Sequence, residues 1–162
     1  MKIAIGCDEA ALDLKETIKA HLANQGQVPV EATDFGIHAA TPVDYPDIAV
    51  KVAEAVARGE YDRGILLCGT GIGMAIAANK VAGIRAANCH DVFSAERARK
   101  SNNAQIVTLG ARVIGPELAK TVLSAWLVSE FAGGGSARKV EKIMKIEKKT
   151  FHPHLTSKKE NP

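Results

Sequence analysis

The chain has 162 residues with a formal net charge of +3, and 46% of its residues are apolar, which suffices for one domain with a substantial core. No apolar run is long enough to cross a bilayer and no signal peptide precedes the first strand, so we expect a cytoplasmic protein with no membrane partner. Many of the basic residues follow Arg138 without interleaved aromatic residues, which indicates a solvated helix face rather than a nucleic-acid partner.

Short apolar runs alternate with segments of helical periodicity along the first 129 residues. The predicted strands are residues 2–7, 28–35, 64–68, 84–87 and 104–109. The predicted helices are residues 10–25, 47–58, a segment ending at 79, 92–100 and 116–129. Strands that are apolar throughout and alternate with helices predict a five-stranded parallel sheet covered on both faces, a three-layer Rossmann-like α/β sandwich.

A glycine triple, 133–135, interrupts this pattern and precedes a last predicted helix. Ser136 is the expected N-cap, and the helix runs to about Lys148 with an apolar stripe at Val140, Ile143 and Ile146. Such a stripe beyond a glycine hinge is expected to dock on a partner subunit. We therefore predict a domain over 1–149 and a loose, flexible C-terminal tail over 150–162.

The central feature is the segment 65–80, in which an apolar strand ends at Cys68 and meets a glycine-rich turn before an alanine-rich helix. Backbone N–H groups at a helix start attract negative charge, glycines let a ligand approach, and the same field favours a thiolate at Cys68. Its spacing is G-x-G-x-G after the third strand, so a dinucleotide site or a purely structural turn fits less well than a phosphate or oxyanion cradle.

Other candidates follow the predicted strands, whose carboxyl ends share one edge of the sheet. Asp8 and Glu9 open the cleft, where one of them binds substrate hydroxyls or Asp8 only caps the first helix. Asn102 and Asn103 supply amide donors near the same rim. Arg112 either clamps a phosphate or pairs with a surface carboxylate. The three cysteines, 7, 68 and 89, lack metal-ligand spacing, so we expect reduced thiols and no metal site, with Cys7 and Cys89 in packing roles.

Several of these motifs together resemble one known family. They are Gly6-Cys7-Asp8, Asp44-Tyr45-Pro46, Cys68-Gly69-Thr70-Gly71-Ile72-Gly73, Ala77-Ala78-Asn79-Lys80, Gly83-Ile84-Arg85-Ala86 and Ser101-Asn102-Asn103-Ala104. The chain resembles the type B ribose-5-phosphate isomerases, a family that also includes the subunits of galactose-6-phosphate isomerase. The resemblance runs from Met1 to about Lys149.

The resemblance implies aldose–ketose isomerisation of a phosphorylated sugar through a cis-enediolate, without metal or cofactor. Cys68 is implied as the base, assisted by Thr70 and Asn102, while Asp8 and Tyr45 contact the sugar. The enediolate oxyanion is implied to bind the backbone N–H groups of Gly69, Gly71, Ile72 and Gly73. The family also implies a homodimer or a tetramer with composite sites, in which the last helix reaches the partner.

The chain departs from the family pattern at the groups expected to hold phosphate and open the sugar ring. Glu9 stands where the family has a histidine, and Ser101 stands in place of the ring-opening histidine. In the region of two phosphate arginines the chain has Gly133-Gly134-Gly135-Ser136-Ala137-Arg138-Lys139. Arg112 is kept, and Arg138 or Lys139 is expected to substitute for the missing phosphate contacts.

The expected reaction is the conversion of ribose 5-phosphate to ribulose 5-phosphate. Because Ser101 matters little for a sugar that cannot close a ring, erythrose or erythrulose 4-phosphate is an alternative, and a six-carbon phosphate such as galactose or allose 6-phosphate is another. A hypothesis of another class is a non-catalytic partner subunit of a hetero-oligomeric isomerase. Cys68 and the complete glycine loop argue against that hypothesis.

Overall fold

The computed structural model describes residues 1–39 and 42–151. The strands are β1 Lys2–Cys7, β2 Glu31–Asp34, β3 Arg63–Cys68, β4 Ala86–Asn88 and β5 Ile106–Gly110. The helices are α1 Leu12–Asn24, α2 Tyr45–Ala57, α3 Ile72–Ala78, α4 Val92–Asn102, α5 Pro116–Leu127 and α6 Gly135–Phe151, with a short 3₁₀ helix at Glu9–Ala11.

The five strands form one parallel sheet in the order β2-β1-β3-β5-β4. The chain starts in β1, moves outward to β2 and returns to the other side of β1 as β3, so the strand order reverses between β1 and β3. In open α/β sheets, ligands bind beyond the carboxyl ends of the strands at such a reversal. Asp8 follows β1 and Cys68 ends β3, which places both at this point.

Two apolar layers cover the sheet, as expected of the three-layer sandwich. One face packs against α1, α4 and α5, with Ile18, Ala95 and Trp126 buried there. The other face packs against α2 and α3, with Val52 and Met74 buried there. The strands alternate between these layers because successive side chains point to opposite faces. The predicted fold class is therefore confirmed.

Two strand boundaries differ from the prediction because local turns replace the ladder. The strand predicted from Val28 begins at Glu31, since the Gln25 side chain closes a turn by accepting from Gln27 N–H and donating to the Val28 carbonyl. The strand predicted from Ile84 begins at Ala86, because the Ile84 N–H bonds within a turn.

The last helix also differs at both ends. Ser136 is not its N-cap: the helix begins at Gly135, and the Ser136 N–H donates to the Gly133 carbonyl at 3.1 Å. The helix continues to Phe151, past its predicted end at about Lys148. Most of the predicted tail, 152–162, lies outside the described residues. Within its own chain α6 buries Val140 and leaves Ile143 and Ile146 exposed.

Among the described helices, none is both long enough and apolar enough to cross a membrane.

Candidate active site

A cavity of about 420 Å³ opens at the carboxyl edge of the sheet, where β1 and β3 end. It brings together most of the residues predicted around Cys68. Its lining consists of Asp8, Tyr45, Cys68, Gly69, Thr70, Ile72, Gly73 and Ile76. The strand β3 ends in this cavity because its apolar residues fill the sheet interior and the glycines that follow allow a sharp turn into α3.

Cys68 lines this cavity with 5% of the residue's surface exposed, and it is a free cysteine. The Gly71 N–H donates to its sulfur at 3.0 Å. Gly71 has a φ of +76°, and a Cβ there would lie 2.5 Å from Asn88 Oδ1, so only glycine fits. A backbone donor aimed at sulfur stabilises negative charge on it, as a proton-transferring thiol requires.

The glycine loop is tied to the end of β5. Ala111 N–H donates to the Cys68 carbonyl at 2.8 Å, and Arg112 N–H donates to the Gly69 carbonyl at 3.0 Å. The Thr70 hydroxyl accepts from Ile72 N–H at 3.3 Å. The first two bonds hold the loop against the end of β5, and the third occupies the Ile72 N–H, one of the predicted oxyanion donors.

Asp8 caps a helix start and also lies at the cavity, so its binding of substrate hydroxyls stays a prediction. Its Oδ1 accepts the Ala10 N–H at 3.0 Å and so caps the 3₁₀ helix, and its carboxylate also lines the cavity. Burial raises the pKa of Asp8 above its ordinary value, although the Ala10 hydrogen bond and the Arg112 charge act in the opposite direction.

Arg112 and Glu9 flank the cavity on the side of β5 and β1. The Arg112 side chain lies against Gly69, where an added Cβ would be 3.6–3.8 Å from its Cδ, Nε and Cζ atoms. Glu9 does not line the Cys68 cavity. It lies in a neighbouring cavity of about 370 Å³ with Asp13 and Thr17, and its carboxylate accepts the Val43 N–H at 3.5 Å.

Comparisons with known proteins show the family of the chain. A profile of the family described as Ribose/Galactose Isomerase matches residues 3–143. The chain is 58% identical to D-erythrulose-4-phosphate isomerase of Pectobacterium atrosepticum, covering 94% of this chain and 99% of that protein. It is 56% identical to Ribose-5-P isomerase B of Listeria innocua, covering 92% and 99% respectively.

The chain belongs to the ribose/galactose isomerase family.

A solved ribose-5-phosphate isomerase B from Clostridium thermocellum superposes with a TM-score of 0.88 at 51% identity, covering 92% of this chain and 99% of that one. The predicted family and the predicted reaction class, aldose–ketose isomerisation, are therefore confirmed.

Two residues that the family resemblance implicates, Ser101 and Asn102, do not lie with Cys68 in the same chain. The expectation that Asn102 and Asn103 share its rim is wrong within one chain, because α4 runs back from the carboxyl edge and ends just before β5. Arg85, just before β4, holds this end: its Nε lies 3.1 Å from the Asn102 and Asn103 carbonyl oxygens.

The expected phosphate residues Arg138 and Lys139 are likewise remote from Cys68 in the same chain. Both are exposed near the start of α6. This helix follows the end of α5 at the amino edge of the sheet and packs against Arg85 and Gly83, which contact its Met144 and Glu147 side chains. Of the residues expected to hold phosphate, only Arg112 borders the cavity.

The sequence did not reveal the side chains of β4 and β5 that form hydrogen bonds to the glycine loop. The Thr108 hydroxyl donates to the Gly71 carbonyl at 2.8 Å, and Asn88 Nδ2 donates to the Thr70 carbonyl at 3.4 Å. His90, not chosen from the sequence, accepts the Gly110 N–H at 2.9 Å. The feature of the sequence that could have identified them is Thr108, a polar residue in an otherwise apolar strand.

The other two thiols have the packing roles expected of them. Cys7 and Cys68 end neighbouring strands but belong to the apolar layers on opposite faces of the sheet. Burial raises the pKa of Cys7 and of Cys89 to about 11. Within residues 1–39 and 42–151, no three His, Cys, Asp or Glu side chains are grouped so as to hold a metal ion.

Proposed function

We propose that Cys68 transfers a proton between C1 and C2 of an open-chain sugar phosphate. The observation that carries this proposal is the Gly71 N–H, which lies 3.0 Å from the sulfur of Cys68, a residue that lines the cavity beside the strand-order reversal. The thiolate removes the proton from C2 of the aldose, the electron pair forms the C1=C2 bond, and O1 becomes the enediolate oxygen. Transfer of the hydroxyl proton from O2 to O1 makes C2 the carbonyl carbon, and return of the proton from the Cys68 thiol to C1 gives the ketose and restores the thiolate.

The charge that develops on oxygen is to be met by the loop that follows Cys68. Of the backbone N–H groups predicted to bind the oxyanion, those of Gly69 and Gly73 form the proposed site, because the Gly71 N–H donates to Cys68 Sγ and the Ile72 N–H donates to the Thr70 hydroxyl. Preorganised donors of this kind are worth about 3 kcal/mol each in other enzymes. Thr70, Asp8 and Tyr45 are positioned to bind sugar hydroxyls. No metal ion or cofactor is required in this scheme.

As the substrate pair we propose D-erythrulose 4-phosphate and D-erythrose 4-phosphate. The residue that favours them is Ser101, which stands in place of a ring-opening histidine and cannot serve as an acid–base group near neutral pH. A four-carbon aldose 4-phosphate has no free hydroxyl with which to close a stable ring, so it does not need that group. The Pectobacterium atrosepticum relative carries this activity in its name.

Ribose 5-phosphate, converted to ribulose 5-phosphate, is the second candidate. It is favoured by the nearly equal identity to the Listeria innocua relative and by the Clostridium thermocellum structure. Steady-state kinetics of the pure protein with both sugar phosphates decides between the two substrates. A higher kcat/KM for erythrulose 4-phosphate supports the proposal, and efficient turnover of ribose 5-phosphate contradicts it. Inactivity on both would favour the non-catalytic partner subunit.

The second half of the site is proposed to come from a second copy of the chain. Ile72 and Ile76 on α3 border the cavity with 54% and 58% of their surfaces exposed, which suits a surface covered in a homodimer. Asn102 and Ser101, with Arg138 or Lys139 for the phosphate, are then supplied by the partner. The three free thiols suit the reducing cytoplasm, where we expect the enzyme to act.

The role of Cys68 is tested by Cys68→Ala. Turnover should fall by at least about 100-fold, while substrate binding measured by calorimetry is largely kept, because the base acts only in proton transfer. The matched control is Cys89→Ala, a buried thiol outside the cavity, which should keep its activity. A Cys68→Ala enzyme that retains most of its rate would assign the proton transfer to another group.

A further inference from the structure

Thr108 is a fully buried polar residue in the middle of the sheet. It pairs in register with Leu66 on β3, so its side chain lies on the same face of the sheet as Cys68, two residues further along that strand. Its neighbours on that face, Leu66 on β3 and Ile106 on β5, are apolar and fully buried. A hydroxyl in such a layer costs free energy unless it forms a hydrogen bond.

The Thr108 hydroxyl bonds to the loop that contacts the sulfur. It donates to the Gly71 carbonyl at 2.8 Å and lies 3.2 Å from Asn88 Oδ1. Asn88 Nδ2 in turn reaches the Thr70 carbonyl at 3.4 Å. The peptide groups on both sides of the Gly71 Cα are thereby held, one by Asn88 and the next by Thr108.

These contacts fix the direction of the Gly71 N–H. The peptide group between Thr70 and Gly71 is planar and trans, so its N–H points away from its carbonyl. When Asn88 holds the carbonyl side, the N–H side faces Cys68 Sγ at 3.0 Å. A glycine can otherwise adopt many conformations. Gly71 has a φ of +76°, and the hydrogen bond from Thr108 to its carbonyl restrains the peptide group that follows it.

We propose that Thr108, with Asn88, is a positioning residue for the reaction: it holds Gly71 so that the Gly71 N–H is directed at the Cys68 sulfur. This inference rests on the proposed role of Cys68 only for its effect on turnover. Its effect on the sulfur itself can be measured without substrate.

The test is the pH dependence of Cys68 alkylation by iodoacetamide in the folded enzyme. Thr108→Val keeps the shape and removes the hydroxyl, and Thr108→Ser keeps the hydroxyl. Loss of a hydrogen bond that holds the N–H on the sulfur should shift the alkylation profile of the valine variant to higher pH by about half a unit to one unit. Its kcat should fall about five- to tenfold with little change in KM. The serine variant should restore both.

Other charged and titratable groups near the cavity stay the same in these variants. They are Asp8 after β1, Tyr45 at the start of α2, His90 after β4 and Arg112 after β5. The remaining thiols, Cys7 and Cys89, give little background, because both are buried and have pKa values of about 11.

The matched control is Ser129→Ala, which removes another buried hydroxyl that donates to a carbonyl, that of Ala125 at 2.7 Å, at the far end of α5. It should lower thermal stability without moving the alkylation profile. If Thr108→Val proves unstable, Asn88→Ala tests the same restraint at an exposed position, where folding is less affected.

The outcomes separate this inference from the proposed function. A Thr108→Val profile that overlays the wild type, with a loss of stability like that of Ser129→Ala, would overturn the inference and leave the role of Cys68 intact. A shifted profile with unchanged turnover would support the positioning of the sulfur and remove Cys68 from the proton transfer.

Discussion

The aromatic ring of Tyr45 lies directly on the Cα of Gly73. A Cβ built on Gly73 would lie 2.5 Å from Tyr45 Cε2, 2.6 Å from Cζ and 2.9 Å from the hydroxyl oxygen. Tyr45 begins α2 and Gly73 is the second residue of α3, so this contact joins two helix starts at the cavity. The φ of Gly73 is not positive, so its backbone conformation does not require glycine. Glycine is required there because the Tyr45 ring occupies the space of a side chain.

Gly73→Ala should weaken substrate binding without unfolding the enzyme. The new methyl group must displace the half-exposed Tyr45 ring, while alanine in a helix is favoured over glycine by about 1 kcal/mol. We expect KM to rise several-fold and the thermal midpoint to stay within a few degrees of the wild type, as measured by kinetics and calorimetry. Gly115→Ala is the control, because a Cβ there meets no atom within 4 Å. An unchanged KM in Gly73→Ala would show that the ring position is unimportant.

Asp8→Asn should lower the activity of the enzyme and raise the stability of its fold. Because burial raises the pKa of Asp8 in the folded protein, its ionisation costs stability as pH rises through that pKa. Asparagine keeps an acceptor for the Ala10 N–H but carries no charge. The variant should melt at a higher temperature than the wild type at pH 7, with the gap closing below about pH 4, while turnover falls. Asp47→Asn, at an exposed position, controls for the amide change. A gap that does not depend on pH would contradict the prediction.

The elements around Cys68 were predictable because each depends on local sequence. Apolar residues fill β3, and the glycines after Cys68 allow the turn into α3. Asn102 was misplaced because its distance from Cys68 depends on the course of α4, which returns the chain to the amino edge of the sheet. Long-range pairings also escaped prediction: the hydroxyl of Thr108 meets Gly71, and the ammonium of Lys15 lies fully buried against β2.

Lys15 forms the buried ion pair that anchors the segment after β2. Its ammonium donates to Asp34 Oδ1 at 3.0 Å and to the Ile37 carbonyl at 2.5 Å. Burial alone would raise the pKa of Asp34, but hydrogen bonds from Lys15, Lys19 and the Gly36 N–H outweigh it and lower that pKa. The pair therefore stabilises the fold above the ordinary pKa of the carboxyl and loses its effect as pH falls through the lowered one.

Asp34→Asn should lower the free energy of unfolding by about 3 kcal/mol at pH 7, because it leaves the buried Lys15 ammonium with only the more distant and exposed Glu16 as a charge partner. Urea denaturation at pH 7 and at pH 3 measures the difference, which should shrink at acid pH as the wild-type carboxyl takes up its proton. Glu16→Gln removes a more exposed carboxylate of the same cluster and should cost less than about 1 kcal/mol. Equal losses in the two variants would contradict the anchoring role of Asp34.

The proposed composite site predicts that two inactive variants restore activity together. Cys68→Ala and Asn102→Ala each damage both sites of a homodimer, but in a mixed dimer one site combines the intact Cys68 of one chain with the intact Asn102 of the other. Because random pairing makes half of the dimers mixed, co-expression with two affinity tags should recover about a quarter of the wild-type activity.

The matched control for this experiment pairs Cys68→Ala with Asp8→Asn. Both residues line the cavity of the same chain, so no mixed dimer contains an undamaged site and activity should stay at the mean of the two variants. Recovery with Asn102→Ala but not with Asp8→Asn would assign Asn102 to the partner's site. If neither mixture recovers activity, the site does not include Asn102 of a second copy. Because Asn102 is also remote from Cys68 in its own chain, Asn102 would then have no part in the proton transfer.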